Sequence, residues 1–184
     1  MLKSNKKIFL IAKSIAFITW VLGVTDLILK YLLWSSHEIE MLEGIIENLD
    51  SHAAIGTIEV SDTTFNLLML ISYLPTLFSS LSLFFIGYFF FRVTKEEIWS
   101  QKNIKTLFIA GILAIITPIV YGMQETFESL ALSLSLPESE KIFVFYLGFS
   151  SSAAHEVIYG IIILSLSLIM KETKKLSDEN KQYI

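Results

Sequence analysis

The chain has 184 residues, of which 53% are hydrophobic and only 17% charged, and its mean hydropathy is +0.62. This composition excludes an ordinary soluble domain, and the absence of cysteine excludes disulfide frameworks, thiolate metal sites and cysteine nucleophiles. Because the net charge is only −4, the positions of the charges are more informative than their sum.

Long apolar stretches predict an all-α, polytopic integral membrane protein, with four transmembrane helices in a single domain over residues 1–184. The predicted spans are about 8–34, 64–91, 104–124 and 142–170. A helix of about 20 apolar residues crosses the hydrocarbon core while satisfying its own backbone hydrogen bonds. The first span is expected to remain as an anchor, because its apolar run is too long for a cleavable signal peptide.

The loop after the first span, residues 35–63, is acidic and is expected to be partly helical. Leu42, Ile45, Ile46 and Leu49 recur at helical spacing, with acidic residues on the opposite face. This pattern predicts a short helix that lies on the membrane surface or caps the bundle. The loop is interpreted either as a packed linker or as an external recognition surface for cationic ligands or a partner.

The second and third spans carry proline and small residues that bear on packing. Pro75 and Pro118 predict kinks, and small residues such as Gly111 let helices approach closely. The third span is expected to continue beyond the bilayer through Glu128 before Pro137 ends it.

Orientation follows from the lysines and arginine. They cluster before the first span, in and beside residues 92–103, and in the tail 171–184, whereas only Lys30 and Lys141 lie near the other two loops. Positive residues collect on the cytoplasmic side. We therefore expect a multi-pass protein of a bacterial cytoplasmic (inner) membrane, with cytoplasmic N- and C-termini, a cytosolic loop at 92–103 and a cytosolic tail.

Charged residues in the outer half of the predicted bundle are the candidate ligand or ion site: Asp26, Lys30, Glu125, His155 and Glu156. An ionisable group inside a membrane normally faces a partner or a watery cavity. Lys30 follows Asp26 by one turn and is placed to pair with it. A structural ion-pair network, a site for a ligand, proton or ion, and a position of residues 150–156 outside the bilayer are the three alternatives.

Catalytic motifs are missing from the sequence. It contains no GxSxG nucleophile elbow, no glycine-rich phosphate loop and no histidine pair with metal-ligand spacing. We expect no catalytic residues, no metal site and no cofactor.

Two cytosolic segments resemble a known family. Residues 97–107 (EIWSQKNIKTL), leading into Ile109-Ala110-Gly111, and the tail segment 170–180 (MKETKKLSDEN) are similar to the bacterial membrane family called domain of unknown function 2975. The resemblance covers the full chain and implies a four-helix membrane protein that works beside a small cytosolic helix-turn-helix regulator. It implies no catalytic residues.

The same segments supply candidate partner-docking residues: Trp99, Asn103, Lys171, Lys174 and Lys175. Independently of the resemblance, Ser100 is expected to cap the third span through the amides near Asn103, and the tail lysines to lie at the anionic inner leaflet. A solvated flank that stops translocation is the alternative to a docking site.

The sequence favours a non-enzymatic accessory or sensor protein with an acidic outer surface and a basic cytosolic surface. The alternative is a small transporter or ion-conducting protein that uses the outer carboxylates. The expected surroundings are the lipid bilayer and a cytosolic protein partner, without direct nucleic-acid binding.

Overall fold

A computed structural model describes residues 2–36, 38–53, 60–93, 98–136, 141, 143–148 and 150–181. The helices in these residues are α1 (Leu2–Ser36), α2 (Glu38–Ala53), α3 (Asp62–Val93), α4 (Gln101–Gly122), α5 (Gln124–Ser133) and α6 (Ser151–Asn180). Of these, α1, α3, α4 and α6 are long and apolar enough to cross a membrane. The predicted four-helix membrane fold is confirmed.

The four spanning helices form a row rather than a closed bundle. They run alternately up and down, with α1 packed on α3, α3 on α4, and α4 on α6. Within the described residues, α1 and α6 have no comparable contact with each other. The end that carries α2 and α5 is called the cap end below, and the opposite end, where α6 finishes, is called the tail end.

The cap end is closed by a hydrophobic core under α2. Leu49 of α2 is fully buried beside Trp34, Leu68 and Leu132, which belong to α1, α3 and α5. The indole Nε1 of Trp34 donates to the Ser72 hydroxyl at 3.2 Å. The amphipathic helix predicted in the first loop is therefore present, and its apolar face caps the bundle.

Towards the tail end, α4 and α6 pack at close range through glycine. A Cβ atom built on Gly111 would lie 2.8 Å from the backbone nitrogen of Leu164, and one on Gly160 would lie 2.9 Å from that of Ile115. The Ser167 hydroxyl also donates to the Ile104 carbonyl at 3.1 Å. Small residues thus bring the two backbones together, as expected in a membrane.

The helix of the fourth predicted span, 142–170, starts later than expected. The helix begins at Ser151, where the Ser150 hydroxyl caps the Ala153 amide at 3.1 Å, and it continues to Asn180. Residues 143–148 are not helical, although they are apolar. Hydropathy alone could not separate this segment from the helix that follows it.

Side chains of α5 satisfy the backbone of residues 143–148. The Thr126 hydroxyl accepts from the Tyr146 amide at 2.8 Å and lies 2.7 Å from the Tyr146 carbonyl, and Ser129 makes matching contacts with Val144 at 3.3 Å. The Gly148 amide donates to the Gly122 carbonyl at 2.9 Å. These bonds replace the helical ones that the segment does not make.

The predicted continuation of the third span is present as a separate helix. Helix α4 ends at Gly122, and α5, which carries Glu128, starts at Gln124 after the single residue Met123. Pro137 lies outside the described residues, as does the rest of 137–140.

Candidate functional site

A cavity of about 490 Å³ lies in the cap half of the row, and it is called the charged cavity below. Helix α1 lines one side and the start of α6 the other, while α3 and α4 form the floor. Its polar lining consists of Asp26, Lys30, Thr76, Ser79, Thr117, Tyr121, Ser150, Ser152 and Glu156. Three of the five candidate site residues, Asp26, Lys30 and Glu156, therefore line one cavity.

Proline shapes the floor of the charged cavity. Pro75 and Pro118 are buried and line it from α3 and α4. Proline has no amide hydrogen, so the carbonyls four residues earlier, at Ile71 and Ala114, lose their intrahelical donor. Such freed backbone groups are tolerated in a membrane where they face protein or a polar cavity.

Asp26 and Glu156 line the charged cavity from opposite helices. Among the residues that the structure describes, neither side chain makes a hydrogen bond or an ion pair. The predicted pairing of Lys30 with Asp26 is not formed. Two carboxylates that share a cavity in the membrane without a direct ion pair favour a cation between them.

Lys30 instead interacts electrostatically with Glu128 of α5, a residue outside the predicted site. Glu128 is only 4% exposed, and its Oε1 accepts from Gln124 Nε2 at 2.6 Å. Burial raises the pKa of the Glu128 carboxyl, the Gln124 hydrogen bond lowers it, the Glu125 charge raises it, and the Lys30 charge lowers it. The net direction is upward, so burial outweighs the two stabilising contacts.

The other two candidate residues do not line the charged cavity. Glu125 lies near Glu128, and its buried Oε2 has no hydrogen-bond partner among the described residues. His155 is exposed, and its Nδ1–H donates to the Ser151 carbonyl at 2.7 Å. His155 and Glu156 are adjacent in α6, and adjacent residues of a helix point about 100° apart. Glu156 therefore faces the cavity and His155 does not.

A second cavity of about 250 Å³ continues from the first, and it is called the apolar extension below. The two cavities share Ser79, Thr117 and Glu156. The extension runs towards the tail end in the angle between α3 and α6. Its further lining is mostly apolar and includes Leu83, Ile86, Ala114, Tyr159 and Ile163.

The candidate docking residues at the tail end divide into buried and accessible ones. Asn103 is fully buried. Its backbone amide donates to the Ser100 hydroxyl at 3.3 Å, and its side-chain Nδ2 donates to the Ile98 carbonyl at 3.3 Å. This confirms Ser100 as the cap of α4 and removes Asn103 from any docking surface. Trp99 is 40% exposed.

The tail lysines remain available at the end of α6. Lys171 and Lys175 are exposed and Lys174 is half-buried. Lys175 lies 4.0 Å from Glu179, an exposed pair of the kind that contributes little stability. Their charge is therefore accessible to an anionic lipid surface or a protein.

No protein-family model, curated protein or solved structure matches this chain. Among the described residues, no group of three or more histidine, aspartate or glutamate side chains is placed to hold a metal ion. The arrangement of charges in the cavity is therefore the main guide to function.

Proposed function

We propose that this protein is a non-enzymatic sensor or accessory protein of the membrane that binds a small organic cation in the charged cavity. The observation that carries the proposal is the pair of acids, Asp26 and Glu156, which line one cavity from opposite helices and form no ion pair with a described residue. Lys30 also lines this cavity, but it interacts electrostatically with Glu128 and forms no ion pair with either carboxylate among the described residues.

The charge pattern supports an orientation with the cap end outside a bacterial cytoplasmic membrane and both termini in the cytoplasm. The exposed acids Glu38, Glu40, Glu43 and Glu47 of α2 would then lie on the outer side, where they raise the local concentration of cations. The tail lysines would face the cytosol, where a soluble regulator of the kind implied by the resemblance could dock.

Binding of a simple amine tests this proposal. In protein-containing nanodiscs, we expect saturable binding of ethylammonium that weakens about tenfold in Asp26→Asn and in Glu156→Gln. Hydrogen bonds to charged groups contribute roughly 1.5–3 kcal/mol, and about 1.4 kcal/mol corresponds to tenfold. Glu172→Gln, an exposed neutralisation farther along the helix that carries Glu156, is the matched control and should bind like the parent. Equal binding by all variants would refute a site at these carboxylates.

A small transporter is the second candidate, because the apolar extension carries the site deeper towards the tail end. Cation flux into liposomes that is abolished by Glu156→Gln would favour transport. Co-purification of a soluble regulator, without flux, would favour the sensor.

A further inference from the structure

We propose that the ligand of the charged cavity is a single-chain cationic amphiphile, which reaches the site sideways from the bilayer through the gap between α1 and α6. This inference rests on the proposed function and names the class of ligand. It is carried by three features of the described residues: the gap itself, the apolar extension, and the position of the carboxylates where the two meet.

The gap exists because the row of helices does not close. Asp26 of α1 and Glu156 of α6 line the same cavity, yet the two helices do not pack on each other. Apolar side chains flank the opening, with Leu29 52% exposed, Leu33 47% exposed and Tyr159 63% exposed. A hydrocarbon chain can therefore lie between these helices without leaving an apolar environment.

The apolar extension gives the chain a place beside the head group. It adjoins the charged cavity at Glu156 and continues along Tyr159 and Ile163 of α6. An ammonium group held between Asp26 and Glu156 would thus lie at the polar end of a mostly apolar groove. Polar atoms at one end and apolar walls at the other match an amphiphile better than a small hydrated ion.

The two parts of the ligand would have different roles. A carboxylate gains most from a cation where water is scarce, so the head group provides specificity. Lipid tails are as apolar as the protein groove, so the chain adds little specificity but determines the route of access. Apparent affinity should therefore follow partition into the bilayer.

The alkylammonium chain-length series tests whether the bound chain lies in apolar surroundings, as entry from the bilayer requires. Ethylamine and dodecylamine would be titrated into protein-containing nanodiscs by calorimetry, with empty nanodiscs subtracted and dodecanol as the uncharged control. In terms of total concentration, we expect dodecylamine to bind at least about a hundredfold more tightly, because each buried methylene raises partition roughly fourfold. Saturable binding should be absent for dodecanol and for Asp26→Asn/Glu156→Gln.

A site that holds the head group but leaves the chain in water predicts the opposite trend, because the bilayer would then compete with the site for the longer amine. Amine binding that weakens or stays level from ethylamine to dodecylamine would overturn the amphiphile inference and leave the proposed function standing. Absence of carboxylate-dependent binding for every amine would overturn both.

A substitution in the apolar extension provides a second test. Ala114→Phe fills the groove from α4 and leaves both carboxylates in place, so we expect it to flatten the dependence on chain length. Ile112→Phe adds the same side chain at an exposed position of α4 and should retain the dependence. Equal chain-length dependence in the two variants would show that the extension does not hold the chain.

Discussion

Glu128 shows how one buried acid is positioned by residues far apart in sequence. Its helix, α5, is held against the cap core, and its carboxylate lies within electrostatic reach of Lys30 on α1. Neutral glutamic acid retains the Gln124 hydrogen bond as an acceptor and avoids the cost of a buried charge. The protonation state of Glu128 should therefore affect the stability of the cap end.

A pH-dependent loss of stability is the expected result. The folded pKa of Glu128 lies above its ordinary value of 4.5, so the folded protein holds this proton more tightly than the unfolded chain. Its stabilising contribution is complete below the ordinary pKa and is lost as pH rises through the raised pKa. Glu128→Gln should melt at a higher temperature than the parent at neutral pH, by about 2–4 °C for each kcal/mol gained.

Thermal unfolding in detergent, measured from acidic to neutral pH, checks this expectation. Glu43→Gln, which changes an exposed acid of α2, is the control and should keep the pH profile of the parent. If the melting temperature of Glu128→Gln depends on pH as that of the parent does, the buried carboxyl does not control stability between acidic and neutral pH.

At the scale of helices, the α4–α6 contact depends on the absence of side chains at two glycines. Gly111→Ala would place a methyl group 2.8 Å from the Leu164 backbone nitrogen, which only a shift of a helix can relieve. Overpacking of this kind costs about 1–3 kcal/mol. We expect Gly111→Ala to lower the melting temperature of the protein in detergent.

Gly44 provides the matched control within the same chain. A Cβ atom there meets nothing within 4 Å, and the residue lies inside α2. Alanine should therefore be neutral or stabilise by about 0.5–1 kcal/mol through helix propensity. A Gly111→Ala variant as stable as Gly44→Ala would mean that the helices separate without cost.

At the scale of the whole molecule, reporter fusions test the proposed orientation. An alkaline phosphatase fusion at residue 50 should be active, and a fusion at the C-terminus inactive, because phosphatase folds only outside the cytoplasm. A green fluorescent protein at the same two positions should give the reverse pattern. Phosphatase activity at the C-terminus would indicate the opposite orientation, with the acidic α2 in the cytoplasm.

Much of the fold could be predicted from local signals, because each spanning helix and α2 have their own hydropathy pattern. The start of α6 could not be predicted, because the backbone of residues 143–148 is hydrogen-bonded to Thr126 and Ser129, which belong to another helix. The site was predictable in part. Asp26 and Glu156 stand out as intramembrane acids, but the interaction of Lys30 with Glu128 depends on where α5 packs, and only the Gln124–Glu128 spacing hinted at it.

Because the row of helices is open, α1 and α6 can tilt about their contacts with α3 and α4, a motion called the lever here. Each is supported along one side only, and about 36 Å of continuous helix separates Glu156 from the end of α6 at roughly 1.5 Å per residue. A ligand that draws Asp26 and Glu156 together would tilt these rods about their contacts with α3 and α4, and the displacement would grow with distance towards Lys171 and Lys175. Because the sequence contains no cysteine, spin labels introduced at Lys13 and Glu172 can measure this separation directly, and an unchanged distance on ligand binding would exclude the lever.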